Sequence, residues 1–155
     1  MKRVGATDYY LFTPAYFEQL LASSEYDSKL MLVYLNDEIV SGGVVICSNK
    51  MMQVHLMSTR TEHLSLSPPK LVVDETSVLG RCLGYDFINL GGGLNFKEDN
   101  LFKWKAGFTN LFLDYKSWRY VADQSTYDLL TKNKALDQTM EVDFFPLYRY
   151  DPNAS

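Results

Sequence analysis

The chain holds 155 residues, of which 46% are hydrophobic and 22% charged. That is enough to bury a sizeable core and too apolar for a disordered chain. A net charge of −4 and the lack of a basic face exclude duplex DNA as a primary partner.

In chain order, Tyr9 and Tyr10 belong to a short lead. Thr13-Pro14 reads as a helix start, a hydroxyl cap followed by proline at the first helical position. Tyr16, Phe17, Leu20 and Leu21 supply the helical spacing. Lys29 to Asn36 is apolar on both faces and predicts a covered strand. Asn36-Asp37-Glu38 turns the chain into a return strand, Ile39 to Ser48. Ser48-Asn49-Lys50 turns it again into Met51 to Thr59. The first half therefore predicts an antiparallel meander.

A polar connection from Arg60 leads to Pro68-Pro69 and a helix over Pro69 to Leu83. Its apolar stripe reads as Leu71, Val72, Val78, Leu79, Cys82 and Leu83, with Glu75 in the middle. A carboxylate there either finds a structural partner or reaches a polar cleft. Gly84 is the expected C-cap. Asn110 to Ala122 predicts a long strand, Gln124 to Lys134 a helix capped by Ser125, and Asp143 to Tyr150 an edge strand containing Pro146. The expected class is α+β: a mixed sheet, an antiparallel meander followed by alternating helices and strands, in one domain over residues 1–155.

The stretch Asp86 to Phe108 carries the chemistry. Phe87 to Leu90 is a short apolar strand that runs into Gly91-Gly92-Gly93. A helix then covers about Asp99 to Gly107. Strand ends of this kind let a ligand approach backbone closely. At 100° per residue, Leu101, Trp104, Lys105 and Phe108 share one helical face, with Lys103 opposite. An inward Lys105 either snorkels or meets an anion beside the glycines. The glycines are no dinucleotide fingerprint, because Phe96 stands where a third spaced glycine is needed.

Cys47 and Cys82 lie in apolar segments and read as buried free thiols of a reducing compartment. With His55 and His63 they make no metal spacing, so no metal site is expected. Met-Lys-Arg is not followed by a signal-peptide core, and no apolar run is long enough to span a bilayer. A cytoplasmic location without a membrane partner follows as an expectation.

Three stretches together resemble a known family. They are Tyr16-Phe17-x-x-Leu20 leading to Leu32–Val40, then Val54-His55-Leu56 with Gly84-Tyr-Asp-Phe-Ile-Asn-Leu-Gly-Gly92, and Leu101-Phe-x-x-Lys105-x-Gly-Phe108. The chain resembles the GNAT acyltransferase fold over about residues 8–130, and within it the Fem-type (FemAB-like) branch that includes the peptidoglycan cross-bridge aminoacyltransferases. It matches one C-terminal-type half of those two-half enzymes. The resemblance implies transfer of an acetyl or aminoacyl group from acetyl-CoA or aminoacyl-tRNA to an amine acceptor. That acceptor is a small molecule or a peptidoglycan precursor, in cell-wall or surface-polysaccharide metabolism. A homodimer would rebuild the missing half.

On this reading Lys105 neutralises leaving-group charge, and Glu75 and His55 are the available proton carriers. Asn89, Gly91, Gly92, Gly93, Arg60 and Trp104 line the substrate. Asn89 stands where the family carries an acid, and a neutral amide orients a substrate but cannot act as a base. The family's glycine-rich pyrophosphate cradle is missing between Arg60 and Pro69. Those two departures favour the other reading, a non-catalytic GNAT-like module that pairs with another chain. A nucleotide-phosphate enzyme is a third reading, weakened by the lack of a P-loop.

Overall fold

The computed structural model describes residues 12–94, 97–133 and 142–151. Tyr9, Tyr10 and Lys134 lie outside the described residues. The fold is α+β, with a four-stranded mixed sheet in the order β1-β2-β3-β4. The chain divides into two compact units after Leu111.

In the first unit, α1 spans Pro14–Leu21. Thr13 caps it as expected, its hydroxyl accepting from the Tyr16 amide, and Pro14 opens it. The strands β1 (Asp27–Leu35), β2 (Glu38–Ser48) and β3 (Met51–Thr59) form the antiparallel meander. Both of its turns hold two residues at positive φ: Asn36 and Asp37 at 48° and 64°, Asn49 and Lys50 at 47° and 62°. That geometry matches the strand twist and closes the shortest hairpins.

A 3-10 turn over Thr61–Leu66 then leads to α2, Pro69–Leu83, which ends at Gly84 with φ of 74°. The chain re-enters the sheet as β4, Phe87–Asn89, parallel to β3. Helix α3 covers Asn100–Ala106.

The core lies between α2 and the sheet. Val45, Cys47, Met52 and Val54 are buried there, with Leu79, Tyr85, Ile88 and Leu90 packed against them. Gly80 lets the helix come close, since a Cβ there would sit 3.1 Å from the Met52 sulfur. The Cys47 thiol is pushed up, first by burial.

Two expectations for α2 need correction. Its buried residues are Val72, Val73, Thr76 and Gly80, so the true inward arc is turned away from the expected stripe. Glu75 is exposed and meets solvent, as is Cys82, which is therefore not a buried thiol. Thr76 takes the inward place because its hydroxyl donates to the Val72 carbonyl at 2.6 Å. A polar side chain satisfied within its own helix can stand in a core.

The second unit holds α4, Gln124–Asn133, and a 3-10 turn over Leu147–Arg149. Tyr127 organises it. Its ring lies 6.0 Å from Phe145 and 5.7 Å from Tyr148, and its hydroxyl accepts from the Leu147 amide. No strand forms over Asn110–Ala122 or among the described residues of Asp143–Tyr150. Both stretches have strand-like composition, but a ladder needs a neighbour, and composition does not supply one. Phe145–Pro146 is a cis peptide that precedes the 3-10 turn.

The α4 cap is Asp123 rather than Ser125. Its carboxylate accepts from the Thr126 amide and from the Ser125 and Thr126 hydroxyls. Those bonds, that of Ser125 foremost, bring its pKa down to about 2 from 3.8. The lowered value means that the cap supports α4 fully above pH 3.8, and that this support is lost as pH falls from there through about 2. Amide protection in the first turn of α4, taken relative to the intrinsic exchange rate at each pH, should fall across that window, and Asp123→Ala should abolish that fall.

Candidate functional site

The site forms where β4 ends. Its ladder with β3 is three residues long, Met51 opposite Phe87 and Gln53 opposite Asn89. Beyond Gln53, β3 runs on to Thr59, still paired with β2. On its other edge no strand lies beside it among the described residues. The two parallel strands thus part at Gln53 and Asn89.

A bulge sits at that parting. Val45 pairs with Val54 but Val44 pairs with Leu56, so His55 is the extra residue on β3. Bulges bend a strand and re-aim the side chain they insert. The half-buried His55 is held by a 2.9 Å hydrogen bond between Nε2 and the Tyr16 hydroxyl of α1.

Asn89 turns the chain out of β4. Its Oδ1 accepts from the Gly91 amide at 2.7 Å, and Gly91 adopts φ of 70°. This is an Asx turn, which spends the side chain's acceptor on the protein's own backbone. Asp99 fixes the other end. One oxygen accepts from the Leu94 amide and the other from the Phe102 amide, capping α3. Those bonds, Phe102 first, hold its carboxyl below the usual range. Gly93 lies so close to Lys97 O and Asp99 Oδ1 that a Cβ would overlap both, so only glycine fits.

Lys105 reaches back from α3 to this turn. Its Nζ donates to the Gly92 carbonyl at 2.8 Å and lies 3.4 Å from the position of a Cβ on Gly91. The expected inward lysine is therefore half-buried at the glycines, and Lys103 is exposed as expected. Burial lowers the Lys105 pKa, opposed by the Asp99 charge. The neighbouring Trp104 packs edge-on against Phe108, with ring centroids 5.0 Å apart.

Of the expected residues, the structure brings Asn89, Gly91, Gly92, Gly93 and Lys105 together, with Trp104 beside Lys105 on α3. His55 marks the facing strand. Arg60 does not join them. It follows β3 seven residues beyond Gln53, a run of roughly 23 Å along a strand. There it pairs with Glu38 and, at 3.8 Å, with Glu62. Glu75 points into solvent from α2. Tyr16 and Asp99 are the residues that sequence reasoning missed. Asp99, three positions ahead of Phe102 at a helix start, carried a capping signal; Tyr16 carried only its place in an amphipathic helix and in the first stretch of the family resemblance.

A shallow groove of about 440 Å³ lies elsewhere, lined by Val33, Tyr34 and Leu35 of β1 and by Leu66, Lys70 and Leu71. None of the glycine-turn residues lines it. No group of three potential metal ligands occurs among the described residues, and none of their helices is long and apolar enough to cross a membrane. Comparison with known proteins returns no matching family model, no matching curated protein and no matching solved structure.

Proposed function

We propose that this chain is a GNAT-like acyltransferase of Fem type, moving an acetyl or aminoacyl group from a carrier to an amine. The observation that carries the reading is the parting of β3 from β4 at the His55 bulge. An extended, amide-bearing donor arm can add to the open edge of β3 as a strand would, using main-chain hydrogen bonds. Backbone N–H groups on the edge of β3 beyond Gln53, where no described strand pairs with it, would supply donors for the oxyanion of a tetrahedral intermediate.

The reaction needs little else from the protein. The amine nitrogen attacks the acyl carbon, the carrier leaves as thiolate or alkoxide, and the amine's proton passes to a base or water. Lys105, cationic and anchored on Gly92, faces the negative charge of the carrier or leaving group. His55 is the proton carrier nearest the bulge, provided that Tyr16 releases it. The reading gives Glu75 no part in proton transfer, since α2 turns it outward, and gives Arg60 no part in donor binding. At Gly92, where nothing lies within 4 Å of the position of a Cβ, a carrier has room to approach the backbone. The expected cytoplasmic setting and a peptidoglycan-precursor or small-molecule acceptor belong to this same proposal.

One observation favours the second reading, a binding or assembly module without catalysis. Each candidate group already has a partner in the protein: His55 has Tyr16, Asn89 has Gly91, and Lys105 has Gly92. The test is calorimetric titration with coenzyme A, acetyl-CoA and a non-hydrolysable aminoacyl-adenylate mimic, read beside thermal unfolding. A true donor at one hundred times its Kd should add about 2.7 kcal/mol to stability. Binding of acetyl-CoA places the donor among thioesters, and binding of the mimic alone places it among aminoacyl carriers. No heat and no shift with any of the three would overturn the acyltransferase reading.

A further inference from the structure

We infer that two copies of this chain associate through β1, edge to edge, into one continuous sheet. This does not depend on the acyltransferase reading. β1 is the outer strand of the sheet, nine residues long, with no strand on its far side among the described residues. Natural edge strands are blunted by proline, bulges or charges that discourage pairing. β1 has no proline, and from Leu30 to Leu35 it has no charge. Its single irregularity, between Val33 and Tyr34, places the extra residue, Val40, on β2. Its only charges, Asp27 and Lys29, stand at one end and pair with each other at 2.6 Å.

The outer side chains are apolar as well. Leu30, Leu32, Tyr34 and Leu35 are 52%, 41%, 59% and 39% exposed. Along this edge no described strand takes the outward amides and carbonyls, and flanked by such residues they call for an extended strand with apolar side chains of its own.

A second β1 answers that description. Only one antiparallel register pairs all nine residues, with Met31 opposite the partner's Met31 on a two-fold axis. Leu30 then faces the partner's Leu32, Ser28 faces Tyr34, and Lys29 faces Val33. No like charges oppose each other, so no repulsion offsets the ladder. The pairing is isologous and closes at two, as a point-group dimer requires. Leu30, Leu32 and Tyr34 alternate onto one face of the sheet and Leu35 onto the other, so an edge-on partner covers their flanks and the contact is smaller than a standard interface. The association is therefore weak, and the ladder hydrogen bonds fix its geometry.

Sedimentation at about 100 µM should give twice the 17.8 kDa of one chain. The double variant Leu30→Lys/Leu32→Lys sets lysines against lysines across the axis. It should sediment as one chain while keeping its circular dichroism. The register has its own readout, in a Cys82→Ser background because Cys82 is exposed. A mixture of Leu30→Cys and Leu32→Cys chains should form mixed disulfide dimers under mild oxidation, and either variant alone should not. A wild-type chain that stays single at that concentration overturns the proposal. So does a dimer indifferent to the two lysines, or an absence of the mixed crosslink.

Discussion

Met52→Ala should destabilise the first unit by about 3 kcal/mol, within the range for removing a large buried side chain. Met52 is fully buried, and its sulfur is the atom against which Gly80 of α2 is set. Truncation removes the contact between helix and sheet and leaves a cavity that neither element can close, because Gly80 has no side chain to fill it. At the enthalpy of a domain this size, the midpoint should fall by about 10–15 °C. The control is Val78→Ala on the same helix. Val78 is 40% exposed on the outer flank of α2, so its loss should cost no more than about 0.5 kcal/mol. Chemical denaturation of the two variants decides which arc of α2 faces the sheet. Equal losses would mean that the helix is rotated from its observed place.

That contrast shows where reading the sequence stops. The meander, both hairpin turns, the Thr13-Pro14 start and the Gly84 stop were legible because each rests on local chemistry. Asn-Asp at positive φ, a hydroxyl ahead of proline and a glycine after an apolar run each act over a few residues. The inward face of α2 was not legible. Leu71, Val78 and Cys82 form one apolar arc and Val72, Val73 and Leu79 another, and hydrophobicity does not rank them. The sheet chose the arc that carries Thr76, self-satisfied, and Gly80, small enough for Met52.

At the site, Lys105 and the three glycines stood out from pattern alone. The bulge at His55 did not, since Met51 to Thr59 alternates without a break. Only the register with β2 shows the extra residue. The role of Asn89 was likewise out of reach. A turn that consumes its Oδ1 and an open amide that orients a ligand are the same residue until the Gly91 hydrogen bond is seen.

The largest functional effect should come from Lys105. On the donor-site reading, Lys105→Met should weaken binding of the donor or its mimic by roughly 10- to 100-fold, the worth of a charge-assisted hydrogen bond of about 1.5–3 kcal/mol. Lys105→Arg should recover part of the loss, since it keeps the charge but carries a planar fork that cannot reproduce a single point contact at Gly92.

The pH dependence follows from burial. Desolvation lowers the Lys105 pKa from 10.5, so the folded protein gives up this proton before the unfolded chain does. Between the lowered value and 10.5 the unfolded state binds more protons, and the contribution of Lys105 to stability rises with pH there. Donor binding moves the opposite way, because it needs the cation. It should therefore weaken as pH climbs through a midpoint below 10.5, while stability does not fall with it. A general alkaline loosening would lower both together. Titrating binding and unfolding side by side, in wild type and in Lys105→Met, separates the two. If the variant binds as tightly as wild type at every pH, Lys105 only staples the glycine turn and the anion lies elsewhere.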